Sequence, residues 1–261
     1  MPATDDLTLL SDAARAAAAI GTKHFQSDPD VWDKSGGQGP VTEADLEIDT
    51  MLREELTAAR PNYGWLSEET EDDAARLHAE RVFIVDPIDG TRAFIAGQRS
   101  WSHSLAIAER GEIIAAAVLV PMMDRLYTAS NDDIARLNGT PIESSKRLQI
   151  EDATVLAAKS NMKPEFWNAG TPPLERHFRP SLAYRLSLVA QGRFDAMLTL
   201  RPCWEWDIAA GALLVRRAGG HASDMLGNPL TFNTGGAQTH GCVAAGSGVH
   251  AKILDRLAPS E

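Results

Sequence analysis

Apolar positions recur along this chain in two rhythms. From Thr4 to Phe25 they fall at helical spacing, with Leu9, Ala13, Ala16 and Ile20 on one face and Thr4 or Asp5 placed to cap the start. A second helix is predicted from Thr42, where Thr42 and Asp45 make a capping-box-like pair and Ile48, Met51, Leu52 and Leu56 supply the buried stripe. Between them, Ser35-Gly36-Gly37-Gln38-Gly39-Pro40 reads as a loop. The rhythm then changes. Arg81 to Val85 is a short apolar run that predicts a buried strand stopping at Asp86-Pro87. Ser102 to Glu109 and Glu112 to Val120 predict strands paired across Arg110-Gly111, Arg125 to Ala129 predicts another, and Asn138-Gly139 marks a hairpin turn. Further on, strands are predicted at Val155 to Ala158, Ala196 to Leu200 and Cys242 to Ala245. Helices are predicted at Ser181 to Gln191, closed by Gly192, and at Asp207 to Ala218, closed by Gly219-Gly220. Sheets and helices alternate throughout, which predicts a layered α/β sandwich.

Charge sharpens this picture. The 261 residues carry a formal net charge of -11, and residues 43–91, with 14 acidic and 4 basic side chains, hold -10 of it. Phosphate backbones and anionic membranes need clustered Lys and Arg, so neither a nucleic-acid polymer nor a membrane surface is an expected partner. The longest apolar run, Ile113 to Val120, is far shorter than the ~20 residues that span a bilayer. Met1-Pro2-Ala3-Thr4-Asp5-Asp6 lacks the basic flank and apolar core of a signal peptide, so a cytoplasmic protein is expected. Cys203 and Cys242 form no disulfide framework and no metal-type spacing. What the acidic segment does suggest is a cation.

Val85-Asp86-Pro87-Ile88-Asp89-Gly90-Thr91 carries the strongest local chemistry. Two carboxylates across one tight turn can bridge a hard cation such as Mg²⁺, and a helix opening at Gly90-Thr91 would aim its N–H groups at a phosphate. An Asx-type turn between strand and helix explains the same residues. Trp206-Asp207-Ile208-Ala209-Ala210-Gly211 places a carboxylate at a helix start, where a helix cap is the competing explanation. Leu66-Ser67-Glu68-Glu69 runs into Thr70 to Asp73 and can equally be a solvated acidic stretch, and Asp45 has a sufficient role in its capping box. His103 and His240 are read as polar-contact or surface residues, not catalysts.

In this order, Val-Thr-x-Ala-Asp, Ser-Glu-Glu, Asp-Pro-Ile-Asp-Gly-Thr and Trp-Asp-Ile-Ala-Ala-Gly closely resemble the motifs of the inositol monophosphatase superfamily, and the resemblance runs from about residue 8 to residue 258. It implies an αβαβα sandwich of the inositol monophosphatase and fructose-1,6-bisphosphatase type. It also implies a homodimer and a Mg²⁺-dependent, Li⁺-inhibited phosphatase of small phosphorylated metabolites. The expected layout is one compact unit, with residues 1–130 as an α+β subdomain carrying the metal motifs and residues 131–261 as an α/β subdomain with the substrate pocket. By the same resemblance, Glu68, Asp86, Asp89, Asp207 and the Ile88 carbonyl bind at least two Mg²⁺ ions. Asp45 and Thr91, with Glu68, activate the attacking water, and Gly90 and Thr91 contact phosphate.

Substrate choice rests on departures from the pattern. The Glu that holds inositol hydroxyls seven residues before the helix-start Asp is Leu200 here, with Glu205 a candidate substitute, and the family's Gly-Ser or Gly-Thr is Pro180-Ser181. Leu66-Ser67-Glu68-Glu69, Leu188-Val189-Ala190-x-Gly192 and Gly227-Asn228-Pro229-Leu230 look like the 3'(2'),5'-bisphosphate nucleotidase branch. The loop Lys34 to Pro40 lacks the Asp typical of that branch. Tyr184, Arg185 and Arg201 are candidates for a second phosphate or, alternatively, for surface ion pairs. The expected substrate is 3'-phosphoadenosine 5'-phosphate, with inositol 1-phosphate and histidinol phosphate as alternatives. A non-catalytic Mg²⁺- or phosphate-binding regulator is the reading from another class.

Overall fold

The computed structural model describes residues 5–25, 27, 30–33, 39–168 and 170–258. Thr4 and the loop positions Lys34 to Gln38 fall outside them. Helix α1 (Asp6–Phe25) is capped by Asp5, whose carboxylate accepts the Thr8 N–H at 2.9 Å. A short ribbon of β1 (Val31–Asp33) and β2 (Pro40–Thr42) leads into α2 (Glu43–Ala59), and the capping box of Thr42 and Asp45 is formed in full. The main sheet has seven strands: β3 (Gly64–Ser67), β4 (Arg81–Asp89), β5 (Ser102–Glu109), β6 (Glu112–Val120), β7 (Arg125–Ser130), β8 (Asp133–Leu137) and β9 (Thr140–Pro141), in that spatial order. Helix α3 (Thr91–Ile95) is a single short turn after β4. Arg110 and Gly111 both take positive φ, as a two-residue hairpin turn of this hand requires.

The second sheet has five strands in the order β11 (Glu175–His177), β10 (Thr154–Ala157), β12 (Ala196–Thr199), β16 (Cys242–Gly246) and β14 (Gly220–Ser223). Helices α4 (Leu182–Ala190) and α5 (Glu205–Arg217) lie between the two sheets. A ribbon of β13 (Cys203–Trp204) and β15 (Gln238–Thr239) flanks α5, and α6 (Ser247–Leu254) closes the outer face. Side-chain alternation assigns the layers. Phe83 and Val85 of β4 face the cluster built on α1 and α2, whereas Val82 and Ile84 face α4 and α5. Val155, Leu198 and Val243 of the second sheet meet Val249 and Ile253 of α6. The layers run αβαβα, as the motifs implied. Among the described residues, no helix is long and apolar enough to cross a membrane.

Two boundaries differ from the sequence reading. Strand β4 continues past Asp86-Pro87 to Asp89, because a register shift between Asp86 and Asp89 takes the proline out of the ladder, where its missing N–H costs nothing. Helix α5 begins at Glu205, so Asp207 sits in its first turn and is not a cap. The α4–α5 contact is close at Gly211, where an added Cβ would lie 2.4 Å from the Leu186 Cβ. Gly211→Ala should therefore destabilise the fold by about 1–3 kcal/mol in urea denaturation. An unchanged midpoint would mean that the two helices are free to separate there.

Candidate metal centre

Three chain segments deliver carboxylates to one point. Asp86 precedes the β4 bulge, Asp89 follows it, and Asp207 enters from α5. One oxygen of each lies within 4.8 Å of the others. The geometry follows from the bulge, since an extra residue between Asp86 and Asp89 turns both side chains toward the same side of the strand end. Glu68 arrives next to them because β3 runs parallel to β4, pairing Ser67 with Val85, and the Glu68 N–H bonds to the Val85 carbonyl at 3.2 Å. Asp49, on α2, accepts the hydroxyls of Ser67 and, at 2.5 Å, Thr70, and so holds the segment that carries Glu68.

Burial and mutual repulsion disfavour the charged form of these acids. Burial first, then the charges of Glu68, Asp89 and Asp207, hold the Asp86 carboxyl well above the carboxylate range. Burial pushes Asp89 up to about 6 against the hydrogen bonds it accepts from Ser181, Ala183 and Leu182. Asp207 is raised by burial and by the charges of Asp89 and Glu68. Asp86 is 1% exposed, and its Oδ1 has no hydrogen-bond partner among the described residues. An orphaned, buried carboxylate oxygen beside two further carboxylates is a set of hard donors, and a hard divalent cation satisfies it.

The water-activating pair of the sequence reading is also assembled. Asp45 is fully buried. Its Oδ2 accepts the Thr42 N–H at 2.8 Å and the Thr42 hydroxyl at 2.5 Å, and its Oδ1 faces the Thr91 hydroxyl at 3.4 Å. The same hydroxyl lies 3.1 Å from the Ile88 carbonyl. The Thr42 capping contacts use Oδ2, which leaves Oδ1 facing Thr91. Gly90 caps α3 with φ of 99°, a conformation that favours glycine.

A cavity of about 530 Å³ opens over this cluster, lined by Glu68, Asp89 and Asp207 together with Arg92, Arg185 and Arg201. Gly90, Thr91, Gln98 and Phe178 also line it. Arg185 is buried. Its Nε donates to the Arg179 carbonyl and its guanidinium stacks 4.5 Å from the Phe178 ring, in place of a surface ion pair. Burial lowers its pKa to about 10, with Asp89 opposing the shift.

Two candidates fall elsewhere. Tyr184, one helical step from Arg185, turns toward Arg125 and Met123, so it is not a cavity residue. Glu205 is fully buried and accepts the backbone N–H groups of Asn233 and Thr234, which makes it a turn anchor and not a substrate ligand. Leu200 packs in the core. Ser181 is both the predicted start of α4 and part of the altered Pro180-Ser181 substrate contact. Its hydroxyl in fact donates to Asp89 Oδ2 at 2.6 Å, beside the Ala183 N–H at 2.6 Å. Its helix-capping position was a readable signal; its partner 92 residues away was not.

A sequence model of the inositol monophosphatase family matches residues 4–258. Among curated proteins, the chain is 36% identical over 205 residues to an inositol-1-monophosphatase of Rhizobium meliloti, covering 75% of this chain and 76% of the relative. It is 31% identical over 195 residues to a 3'-phosphoadenosine 5'-phosphate phosphatase of Mycobacterium tuberculosis, covering 72% and 71%. Among solved structures, the Thermotoga maritima IMPase superimposes with a TM-score of 0.83 at 25% identity, covering 97% of this chain and 96% of that one.

Proposed function

Because this chain belongs to the inositol monophosphatase family of phosphoric monoester hydrolases, we propose that it hydrolyses a small phosphomonoester bearing a second anionic group, best met by 3'-phosphoadenosine 5'-phosphate. One observation supports the reading: a single cavity is lined by three carboxylates, Glu68, Asp89 and Asp207, and three arginines, Arg92, Arg185 and Arg201. The carboxylates suit cations that in turn hold the scissile phosphate. The arginines suit the second phosphate, since guanidinium groups make bidentate contacts to phosphate oxygens.

Glu68, Asp86, Asp89, Asp207 and the Ile88 carbonyl would hold Mg²⁺. When bound, Mg²⁺ supplies charge neutralisation and a more acidic water. The chain's own residues do the rest. Thr91 takes the water's proton through its hydroxyl while passing its own to Asp45 Oδ1; as the water oxygen bonds phosphorus the P–O ester bond breaks, and the leaving oxygen takes up a proton from solvent. Gly90 and Thr91 offer backbone N–H groups to the phosphate oxygens, and Arg185, fixed on Phe178, orients the remainder of the substrate. Li⁺ inhibition, a homodimer and a cytoplasmic setting belong to the same reading.

The test compares kcat/KM on 3'-phosphoadenosine 5'-phosphate and inositol 1-phosphate with Mg²⁺, with and without Li⁺. The bisphosphate should lead. A clear preference for inositol 1-phosphate would overturn the substrate, and no phosphate release from a broad phosphomonoester panel would overturn catalysis in favour of a binding-only protein. Arg201 is exposed, so Arg201→Ala should fold normally. It should lower kcat/KM on the bisphosphate by roughly tenfold to 100-fold, the loss of one charged hydrogen bond, and leave inositol 1-phosphate within about threefold. Equal losses on both substrates would remove Arg201 from a second-phosphate role.

A further inference from the structure

Strand β5 begins Ser102-His103-Ser104, three consecutive polar residues that are 0%, 0% and 1% exposed. Polar groups buried in a strand are costly unless each is bonded, and apolar residues would fill the same space more simply. Two of the three bond directly to a segment that carries a cluster carboxylate, and the third reaches one through Ser181. The Ser102 hydroxyl meets the Ser181 hydroxyl at 2.9 Å. Since Ser181 donates to Asp89, Ser102 is the donor of that pair, and the chain runs Ser102 to Ser181 to Asp89. On the opposite face of the strand, His103 Nδ1 lies 2.5 Å from the Pro87 carbonyl, inside the bulge between Asp86 and Asp89. A carbonyl only accepts, so Nδ1 carries the proton. Ser104 donates to the Trp206 carbonyl at 3.0 Å, one residue before Asp207.

The His103 ring is also closed in from behind. Helix α1 passes so near that a Cβ on Gly21 would stand 2.9 Å from the Trp101 ring and 3.3 Å from His103 Cε1. Trp101 packs edge-on to the imidazole at 5.3 Å. Burial lowers the His103 pKa to about 4, which leaves the ring neutral and its Nδ1 proton committed to Pro87.

We infer that Ser102, His103 and Ser104 are positioning residues that set the spacing of Asp86, Asp89 and Asp207 from behind, and so the affinity of the centre for a divalent cation. This rests on the metal reading proposed above. Groups that orient metal ligands without touching the metal commonly change affinity by tenfold or more, and these three would act on all three carboxylates through one rigid strand.

The experiment measures Mg²⁺ binding by calorimetry and thermal melting in EDTA for the wild type, His103→Leu, His103→Asn and Ser104→Ala. His103→Leu and Ser104→Ala should weaken Mg²⁺ binding by roughly tenfold to 100-fold. His103→Asn, whose side-chain N–H can reach the Pro87 carbonyl, should stay within about threefold. At saturating Mg²⁺ the KM for substrate should be unchanged. Wild-type Mg²⁺ affinity in Ser104→Ala, or in a folded His103→Leu, overturns the inference, as does a lowered melting temperature with affinity intact. If His103→Leu does not fold, Ser104→Ala decides. A wild-type protein that takes up no Mg²⁺ overturns the metal centre itself, an outcome distinct from a failed variant.

Discussion

Asp89→Asn should fold like the wild type and lose roughly 100- to 1,000-fold or more of kcat, the scale of removing one preorganised charge-stabilising group. Asp89 Oδ2 already accepts the Ser181 hydroxyl and the Ala183 N–H, each at 2.6 Å. An asparagine oxygen can keep both bonds, and the fold around α4 with them. Its amide nitrogen is then forced into the position of the other carboxylate oxygen, where it presents hydrogens to a cation. Structure is retained and the ligand is lost. Glu71→Gln, on an exposed position in the acidic run, is the matched control and should turn over normally. Phosphate release across a Mg²⁺ titration reads both variants, and near-wild-type turnover in Asp89→Asn would take that residue out of the site.

The second large effect is on stability and runs against the usual behaviour of acids. A carboxyl whose folded pKa lies above its unfolded value favours folding while it is protonated, and that contribution is lost as pH rises. Asp89 moves from 3.8 to about 6, and Asp86 and Asp207 are also raised. In EDTA, the site should therefore weaken the fold progressively from about pH 4 through pH 6 and beyond. Asp5, Asp72 and Asp195 are lowered by their hydrogen bonds and act in the opposite sense, so the effect must be read as a difference. Asp86→Asn supplies it: near pH 7 the metal-free variant should melt above the metal-free wild type. Mg²⁺ should raise the wild-type melting temperature by an amount that grows with pH, because its ligands must be deprotonated. Parallel pH–melting curves for wild type and variant would show that the carboxylates do not repel one another.

Features set by neighbours in sequence were legible without coordinates. The capping box at Thr42 and Asp45 and the turn at Arg110-Gly111 depend on a few adjacent residues, and both are present as read. The motifs likewise contain Asp86, Asp89 and Asp207, the three carboxylates that the fold brings within 4.8 Å of one another. Sequence reading failed where a distant partner decides. Strand β4 runs through Pro87 only because β5 accommodates a bulge opposite it. Glu205 is drawn away from the cavity by the backbone of Asn233 and Thr234, which also moves the start of α5 ahead of Asp207. Tyr184 and Arg185 are adjacent, and only the packing of α4 between the sheets sends one to the core and the other to the cavity.

The placement of α4 and α5 between the two sheets has a consequence for how an active molecule comes into being. Asp86 and Asp89 belong to the first sheet, whereas Asp207 and the Ser181 that steadies Asp89 are carried on the intervening helices. No local stretch of chain contains a working centre, and none exists until sheet and helices have docked. A cation held there would join parts that were strangers in sequence, as a rivet does, and its uptake would report that assembly is finished. Turnover in such a molecule doubles as a quality check: chains that misassemble are silent before they are ever unfolded.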